Sequence, residues 1–251
     1  DMVGELNEQA VVYYAGDDFS ALTGVDHATV CEREAELVEK ADLIVAASPI
    51  IARRFPSHKT RVLHHGVDYQ MFSTEAPRAS GLDERPTAGF YGSISEWFDI
   101  ALIREVVRGL PDWRFVLLGK IETDVSPLLS EANIDFVGPV PHHELPRWSQ
   151  HWQVSLLPFL DNAQIRASNP LKLREYLAAG SPIVSTDFPA LTGYRDLVSV
   201  AGNAADMIKA IRQSQMDENQ QMRRQRVAGE TWESQAEKLS AWLRELVVQQ
   251  Q

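Results

Sequence analysis

The sequence predicts an α/β protein with a doubly wound parallel sheet, and a smaller, incomplete α/β domain precedes this sheet in the chain. From Thr87 onward, short β-rich runs alternate with amphipathic helical stretches over short connections, a pattern typical of parallel sheets. Residues 169–180 form a helical stretch with a marker residue at each end, and this stretch runs directly into an apolar strand. The segment before Thr87 repeats the βα alternation on a smaller scale.

The second domain is predicted over residues 87–231. Its strands are predicted at 88–91, 114–118, 135–137, 154–157, 183–185 and 197–200. Its helices are predicted at 100–109, 126–132, 142–151, 171–179 and 204–214, followed by a polar stretch at 216–226. In open sheets of this class, ligands bind beyond the carboxyl ends of the strands. The site is therefore expected in the loops 92–99, 119–124, 138–141, 158–169 and 186–193.

The first domain is predicted over residues 1–76, with strands at 10–15, 43–47 and 61–64 and helices at 28–40 and 49–55. Three strands make a small sheet for an independent domain, so the segment looks like the trailing half of a larger one. Residues 77–86 are polar and bracketed by proline and glycine, which predicts an interdomain linker. Residues 232–251 are predicted to form a closing helix, because apolar residues recur there at helical spacing.

Composition narrows the class of partner. The 251 residues have a net charge of −11, which argues against nucleic acid as the main partner and leaves at most a peripheral membrane contact. No apolar run approaches the roughly 20 residues of a membrane span. The single cysteine excludes an internal disulfide and fits a cytoplasmic location, with any membrane contact at the inner face.

The stretch at Asn169 is the strongest candidate for a site. Asn169 is a preferred N-cap, Pro170 suits the first helical position, and Gly180 can end the helix in the left-handed conformation. The unpaired amides of a helix start attract anions. With Lys172 in the first turn and Glu175 three residues later, the face suits a ligand with a phosphate and a diol. A capped core helix with a solvated ion pair is the equally open alternative.

Other loops offer weaker signals. The turn at Gly92 and Ser93 exposes amides that could hold a phosphate, and the backbone at Val140 could bond a base edge. The pair Asp17 and Asp18 could bind a metal or substrate hydroxyls, although a capping or turn role is favoured.

The sequence lacks the characteristic motifs of several enzyme classes. The sequence has no G-x-G-x-x-G, no phosphate-binding P-loop, no G-x-S-x-G and no H-E-x-x-H. His142 and His143 have no partners at metal-ligand spacing, so they are interpreted as surface histidines and no metal site is predicted.

A set of segments together resembles the retaining glycosyltransferases of family 4, which have the GT-B fold of two Rossmann-like domains. The matching segments are Ala41-Asp-Leu-Ile-Val-Ala-Ala-Ser48, His65-Gly-Val-Asp68 with Phe72, Phe90-Tyr-Gly-Ser93, Phe136-Val-Gly138, Leu156-Leu-Pro-Phe159 and Asn169-Pro-Leu-Lys-Leu-Arg-Glu-Tyr-Leu-Ala-Ala-Gly180 with Ser-Pro-Ile-Val-Ser-Thr186. The similarity extends over nearly the whole chain.

The resemblance implies transfer of a sugar from a nucleotide-diphosphate donor to a sugar, glycan or lipid-linked acceptor with retention of configuration. It implies that the second domain binds the donor, the first binds the acceptor, and the last helix crosses back to the first. Neither a cofactor nor a metal is expected. Glu175 would hold the donor ribose, and Glu175 and Lys172 are the catalytic candidates. The diphosphate would contact Lys172, Gly92, Ser93, Ser168, Asn169, Pro170 and Leu171, with Arg166 and Lys120 as further cations.

Three departures from the family pattern leave alternatives open. Ala167 stands where the family has the first glutamate of its E-x7-E motif, and Ser93–Trp97 contains no arginine or lysine. The first half of the usual N-terminal domain has no counterpart, so the chain is expected to be a fragment of a larger enzyme or a natural remnant. A non-catalytic nucleotide-sugar-binding or scaffold module is the main alternative, and a nucleotide-sugar epimerase of the same fold is a weaker one.

Overall fold

A computed structural model describes residues 3–22 and 24–249, so residues 1, 2 and 23 of the predicted first domain and the last two of the closing helix lie outside the described residues. In chain order the elements are β1 (Val12–Ala15), α1 (His27–Lys40), β2 (Leu43–Ala46), α2 (Pro49–Ala52), β3 (Thr60–Val62), α3 (Tyr69–Ser73), β4 (Thr87–Tyr91), α4 (Ile100–Gly109), β5 (Arg114–Leu118), β6 (Ile134–Gly138), α5 (Pro146–Ser149), β7 (Val154–Leu157), α6 (Ala163–Ala167), α7 (Leu171–Ala179), β8 (Ile183–Ser185), β9 (Ser199–Val200), α8 (Ala204–Gln213), α9 (Gln220–Val227) and α10 (Trp232–Gln249).

The chain divides into two compact units. The first comprises the described residues up to Gly66 together with 163–170 and 230–249, and the second comprises 67–162 and 171–229. The predicted linker at 77–86 differs from this division, because it lies inside the second unit. Within this segment Ala79 and Leu82 are buried, and the amide of Ala79 donates to the carbonyl of Arg147 at 2.9 Å.

The second unit contains a six-stranded parallel sheet in the order β6-β5-β4-β7-β8-β9. The chain starts at β4, moves outward to β6 and returns to β7 on the other side of β4. This arrangement confirms the predicted α/β, doubly wound class. The residues of β4 and β7 are buried throughout, which explains their mainly apolar sequences. The direction of winding reverses between these two strands, and a crevice opens at their carboxyl ends in sheets of this type.

The first unit contains a three-stranded parallel sheet in the order β1-β2-β3. Helix α10 covers one face of it, where side chains from the helix pack against a buried apolar cluster on the strands. The buried residues are Leu43 and Val45 of β2 and Leu63, which directly follows β3, and the helix residues are Leu239, Trp242, Leu243 and Leu246. The other face packs against α2 and α6, with Ile51 and Ala167 fully enclosed.

Three predicted helices are shorter than expected, and one of them is α2, which was predicted over 49–55 and spans Pro49–Ala52. The segment predicted at 142–151 is a 3-10 turn at His142–Glu144 followed by α5, because Pro146 lacks an amide hydrogen and begins a new helix. The segment predicted at 126–132 is reduced to a 3-10 turn at Ser126–Leu128. Among the described residues, no helix is both long and apolar enough to cross a membrane.

Candidate functional site

A cavity of about 320 Å³ opens at the carboxyl ends of β4, β5 and β6 in the second unit. Its walls come from the loops that follow these strands and from the first turns of α7. The lining residues are Tyr91, Gly92, Ser93, Leu118, Gly119, Lys120, Pro139, Val140, His142, Leu145, Leu171, Lys172 and Glu175. Several residues predicted from separate loops thus meet in one place, at the sheet edge where the topology predicts a ligand.

Glycines with positive φ end all three of these strands. The φ angles are +124° at Gly92, +139° at Gly119 and +83° at Gly138, a region that costs residues with a Cβ additional energy. The loops also approach closely, since a Cβ on Gly119 would lie 2.1 Å from the carbonyl oxygen of Gly92. Their backbones are joined by hydrogen bonds from the Gly92 amide to Leu118 and from the Gly119 amide to Gly138, both of 2.8 Å. The cavity floor is therefore fixed by backbone contacts.

Helix α7 brings Lys172 and Glu175 to the cavity. It spans Leu171–Ala179 as predicted and is followed by Gly180, which has a φ of +85°. The amide of Gly180 donates a hydrogen bond of 3.0 Å to the carbonyl of Tyr176, so this residue forms the expected left-handed cap. All its residues from Leu173 onward are buried. The two ionisable groups thus project from the first turns of a helix whose remaining faces are enclosed by protein.

The ammonium of Lys172 lies against aromatic rings. Its Nζ is 5.7 Å from the ring centre of Phe90 and 5.1 Å from that of Trp97, distances at which a cation is attracted to the ring. The side chain also passes over Gly92, where a Cβ would lie 2.2 Å from Cε of the lysine. Burial of the amine lowers the pKa of Lys172 below its ordinary value, and the negative charge of Glu175 opposes this effect. The result is a desolvated cation at the cavity wall.

Glu175 is only 7% exposed, and its Oε1 lies 2.8 Å from Nε2 of His142. The hydroxyl of Tyr91 is also buried, and the amide of Tyr91 donates to the hydroxyl of Tyr176 at 3.1 Å. Burial raises the pKa of Tyr91 well above its ordinary value, and the nearby Glu175 charge adds to this effect. The tyrosine hydroxyl therefore stays protonated beside the carboxylate.

The remaining predicted residues of the second unit lie at the edge of the cavity. Val140 is half-buried and lines it, as does Ser93. Lys120 also lines it, with a side chain 73% exposed and its Nζ 4.0 Å from Glu122. An exposed lysine of this kind adds charge at the rim with little fixed geometry.

Ser168, Asn169, Pro170 and Arg166 belong to the first unit. The side chain of Asn169 is buried, and its amide nitrogen donates to the carbonyl of Ala47 at 2.8 Å. The carbonyl of Asn169 is 2.8 Å from Nδ1 of His65. Arg166 is exposed on α6.

Asp17 and Asp18 also lie in the first unit. Asp18 forms an ion pair of 2.7 Å with Arg54 and accepts from the amide of Ser20 at 3.1 Å, which is the turn role that the sequence favoured. Desolvation raises the pKa of Asp17, and the charge of His65 opposes it. Within residues 3–22 and 24–249 there is no group of three or more His, Cys, Asp or Glu side chains placed to hold a metal ion.

Sequence reasoning missed the contact of His142 with Glu175, because the histidine was interpreted only as a surface residue. Its side chain is indeed 60% exposed, yet its Nε2 meets the buried carboxylate. Phe72 packs against the loop that carries His142. Its ring is fully buried, and its ring centre lies 5.5 Å from that of His142 and 6.5 Å from that of Tyr91. The signal in the sequence was the pair of prolines before the histidine, Pro139 and Pro141, which indicates a rigid loop but not the contact with Glu175.

Comparison with known proteins identifies the family. Residues 85–217, more than half of the chain, match the family model described as Glycosyl transferases group 1. The chain belongs to this family. The predicted similarity to family 4 glycosyltransferases of the GT-B fold is thereby confirmed.

Among curated proteins, the chain is similar to one from Bacillus subtilis (strain 168) named "Putative teichuronic acid biosynthesis glycosyltransferase TuaH". The two are 32% identical over 171 residues, which are 62% of this chain and 43% of the relative. The chain therefore spans less than half the length of that relative.

Solved structures share the fold. Anabaena Alr3699/HepE, crystallised in complex with UDP and glucose, superposes with a TM-score of 0.71 at 14% identity over 94% of this chain and 71% of that one. The sucrose-phosphate synthase of Thermosynechococcus elongatus superposes with a TM-score of 0.69 at 19% identity. The match covers 90% of this chain and 64% of the synthase. A point mutant of S. aureus TarM, in complex with Fondaparinux, alpha-GlcNAc-glycerol and UDP, superposes with a TM-score of 0.68 at 12% identity. The match covers 94% of this chain and 50% of TarM.

Proposed function

We propose that the chain provides the donor site of a glycosyltransferase that moves a sugar from a nucleotide-diphosphate sugar to an acceptor with retention of configuration. The observation that supports this most strongly is the cavity in the second unit. It brings a desolvated lysine, a buried carboxylate and two glycine-containing turns to one edge of a doubly wound sheet, in a chain that belongs to a glycosyltransferase family.

Each part of the proposed ligand has a matching group. Glu175 accepts hydrogen bonds from the ribose hydroxyls, since an ionised carboxylate is an acceptor only. Lys172 and the amides at Gly92 and Ser93 contact the diphosphate, because a cation and exposed amides both attract anions. Leu171 adds an amide at the start of α7, and the backbone at Val140 faces the base.

The proposed chemistry needs a stabilised leaving group more than a protein nucleophile. The bond from the sugar C1 to the phosphate oxygen breaks, and a bond from C1 to the acceptor oxygen forms on the same face. The acceptor proton passes to the departing diphosphate. Lys172 and the amides at Gly92 and Ser93 stabilise the negative charge that develops there, an effect that is strong where water is excluded. Neither a metal nor a cofactor is part of this proposal.

The known proteins favour a first choice of donor and a setting. HepE binds UDP and UDP-glucose in its crystal structures, so we infer that uracil nucleotides are the first ones to test here. The name of TuaH points to polysaccharide or glycoconjugate synthesis as the setting. The proposed location is the cytoplasm, with at most a peripheral contact at the inner membrane face.

Incubation with a panel of UDP- and GDP-sugars tests the proposal. We expect release of the nucleoside diphosphate from one donor, by transfer to an added acceptor or by slow hydrolysis to water, and an NMR coupling at the sugar C1 of the product that matches the donor configuration. Lys172→Ala should slow release about tenfold or more, from the loss of a charged contact to the leaving group. A product of inverted configuration would contradict the retaining mechanism.

One observation favours a non-catalytic binding module as the second candidate. Ala167 stands where the family has a glutamate, it is buried, and its carbonyl accepts from the hydroxyl of Ser48 at 2.6 Å. An alanine supplies no carboxylate at that position. A protein that binds nucleotide but turns over no donor in the panel would support this candidate. Conversion of one nucleotide sugar into its epimer would instead support the epimerase alternative.

A further inference from the structure

The surroundings of Glu175 contain a feature that the proposed roles leave unexplained. A buried carboxylate needs hydrogen-bond partners to offset its lost hydration. The partner seen here is His142, which lies 33 positions earlier in the chain, on a loop that follows β6. Because an ionised carboxylate has no hydrogen to donate, the contact of 2.8 Å requires the hydrogen on Nε2 of the imidazole. In this contact the imidazole is the donor and the carboxylate is the acceptor.

The loop that presents His142 is rigid. Pro139 and Pro141 precede the histidine, and proline fixes the backbone φ angle. His142 begins a 3-10 turn that ends at Glu144, closed by hydrogen bonds of 2.9 Å from Glu144 to Pro141 and 3.1 Å from Leu145 to His142. Little conformational entropy is therefore lost when the imidazole meets the carboxylate.

The ring of His142 is also supported on one side. The fully buried Phe72 meets it edge to face at a centroid distance of 5.5 Å. Phe72 lies on α3, whose first turn is capped by Asp68 through a hydrogen bond of 2.9 Å to the amide of Met71. The segment with Asp68 and Phe72 thus fixes the position of His142, although neither residue lines the cavity.

We propose that His142 is a positioning residue of the nucleotide site. Its Nε2 hydrogen holds Oε1 of Glu175, so that the carboxylate faces the cavity in one orientation and its remaining lone pairs accept from the two ribose hydroxyls. The inference rests on the proposed function, because it assumes that Glu175 binds the ribose. It assigns to His142 an effect that depends on the ribose hydroxyls and is independent of the base and the diphosphate.

Nucleotide pairs that differ only in the ribose test this inference. Calorimetry measures the affinity of the full chain for UDP and GDP, and then for the 2′,3′-dideoxy form of whichever nucleotide the wild type binds. The variants are His142→Ala, His142→Gln, which keeps an N–H donor, and His143→Ala, which removes the neighbouring exposed histidine. Thermal unfolding of each variant monitors folding.

We expect His142→Ala to weaken binding of the ribonucleotide about tenfold, as for a lost hydrogen bond to a charged group, and to leave the dideoxy form unchanged. His142→Gln should recover part of the loss, and His143→Ala should match the wild type with both ligands. Unchanged preference for the ribonucleotide in His142→Ala, or equal loss with both ligands, would overturn the inference alone. If the wild type binds neither UDP nor GDP, the proposed function fails first and the inference fails with it.

Discussion

Lys172 is the residue whose surroundings most directly favour an anionic ligand. Its ammonium lies within cation–π distance of Phe90 and Trp97, and in the described part of the chain no carboxylate comes within ion-pair distance of it. The aromatic rings offset only part of the hydration that the amine loses, which is why its pKa is lowered. A bound diphosphate would supply the missing negative charge.

The lowered pKa of Lys172 predicts how nucleotide affinity depends on pH. The charged lysine binds the diphosphate, so nucleotide affinity should fall as the pH rises through the pKa of Lys172 in the free protein. This pKa lies below the ordinary lysine value of 10.5. Binding favours the protonated form, so the complex should take up protons in this range. Lys172→Ala should weaken binding about tenfold at neutral pH and abolish this alkaline decrease. Calorimetry over a pH series in buffers of different ionisation enthalpy measures both effects, and an unaltered alkaline decrease in the variant would contradict the assignment.

Gly92 offers a second prediction at the residue scale, with Gly138 as its matched control. Both have positive φ, so an alanine at either position should cost about 1–2 kcal/mol of stability. A Cβ at Gly92 would also displace Lys172, whereas a Cβ at Gly138 would meet no atom within 4 Å. Gly92→Ala should therefore lose much more nucleotide affinity than Gly138→Ala at a similar loss of stability. Equal affinities in the two variants would show that the lysine does not need its present position.

At the scale of elements, apolar runs and cap residues predicted most of the second unit. The bounds of β5, β7, β8, α4 and α7 agree with the sequence patterns, because each is a buried run or a capped amphipathic stretch bounded by polar or turn-forming residues. The segment after β6 was predicted less well, since Pro146 divides it and leaves only 3-10 and short α turns. The contact of His142 with Glu175 joins two elements, so neither local pattern could indicate it.

Helix α10 allows a test of the first unit. The ring of Trp242 packs against the apolar face of β2 and β3, and the guanidinium of Arg61 lies 5.3 Å from its centre. Because the residue is only half-buried, Trp242→Ala should lower the free energy of unfolding of this unit by about 2 kcal/mol. Val248→Ala, in the same helix but 71% exposed, should change it by less than about 0.5 kcal/mol. Chemical denaturation measures both, and equal effects would contradict the observed packing.

At the scale of the whole molecule, residues 3–22 and 24–249 contain two parallel sheets of unequal size, one of three strands and one of six. The sequence patterns predicted a first domain over residues 1–76 and a linker over residues 77–86. In the structure residues 67–86 belong to the second unit, and Phe72, Ala79 and Leu82 bury their side chains there. Isolated apolar residues in a polar segment do not form a periodic pattern, so local sequence alone could not reveal this packing.

The division into two units explains why some predicted site residues share the cavity and others do not. Gly92, Ser93, Val140, Lys172 and Glu175 come from loops and a helix on one edge of the larger sheet, as the topology requires. Asp17, Asp18 and Arg166 belong to the unit with the smaller sheet. Their predicted contact with a donor stays a prediction.

The central claim is that Glu175 binds the ribose of a nucleoside diphosphate, and calorimetry with UDP and GDP on the wild type and Glu175→Ala tests it most directly. We predict that the wild type binds one of the two and that Glu175→Ala weakens this binding about tenfold or more, through lost charge-assisted hydrogen bonds. Glu105→Ala, which removes an exposed carboxylate on α4, should bind as the wild type does. No binding by the wild type, or equal affinity in wild type and Glu175→Ala, would contradict the claim.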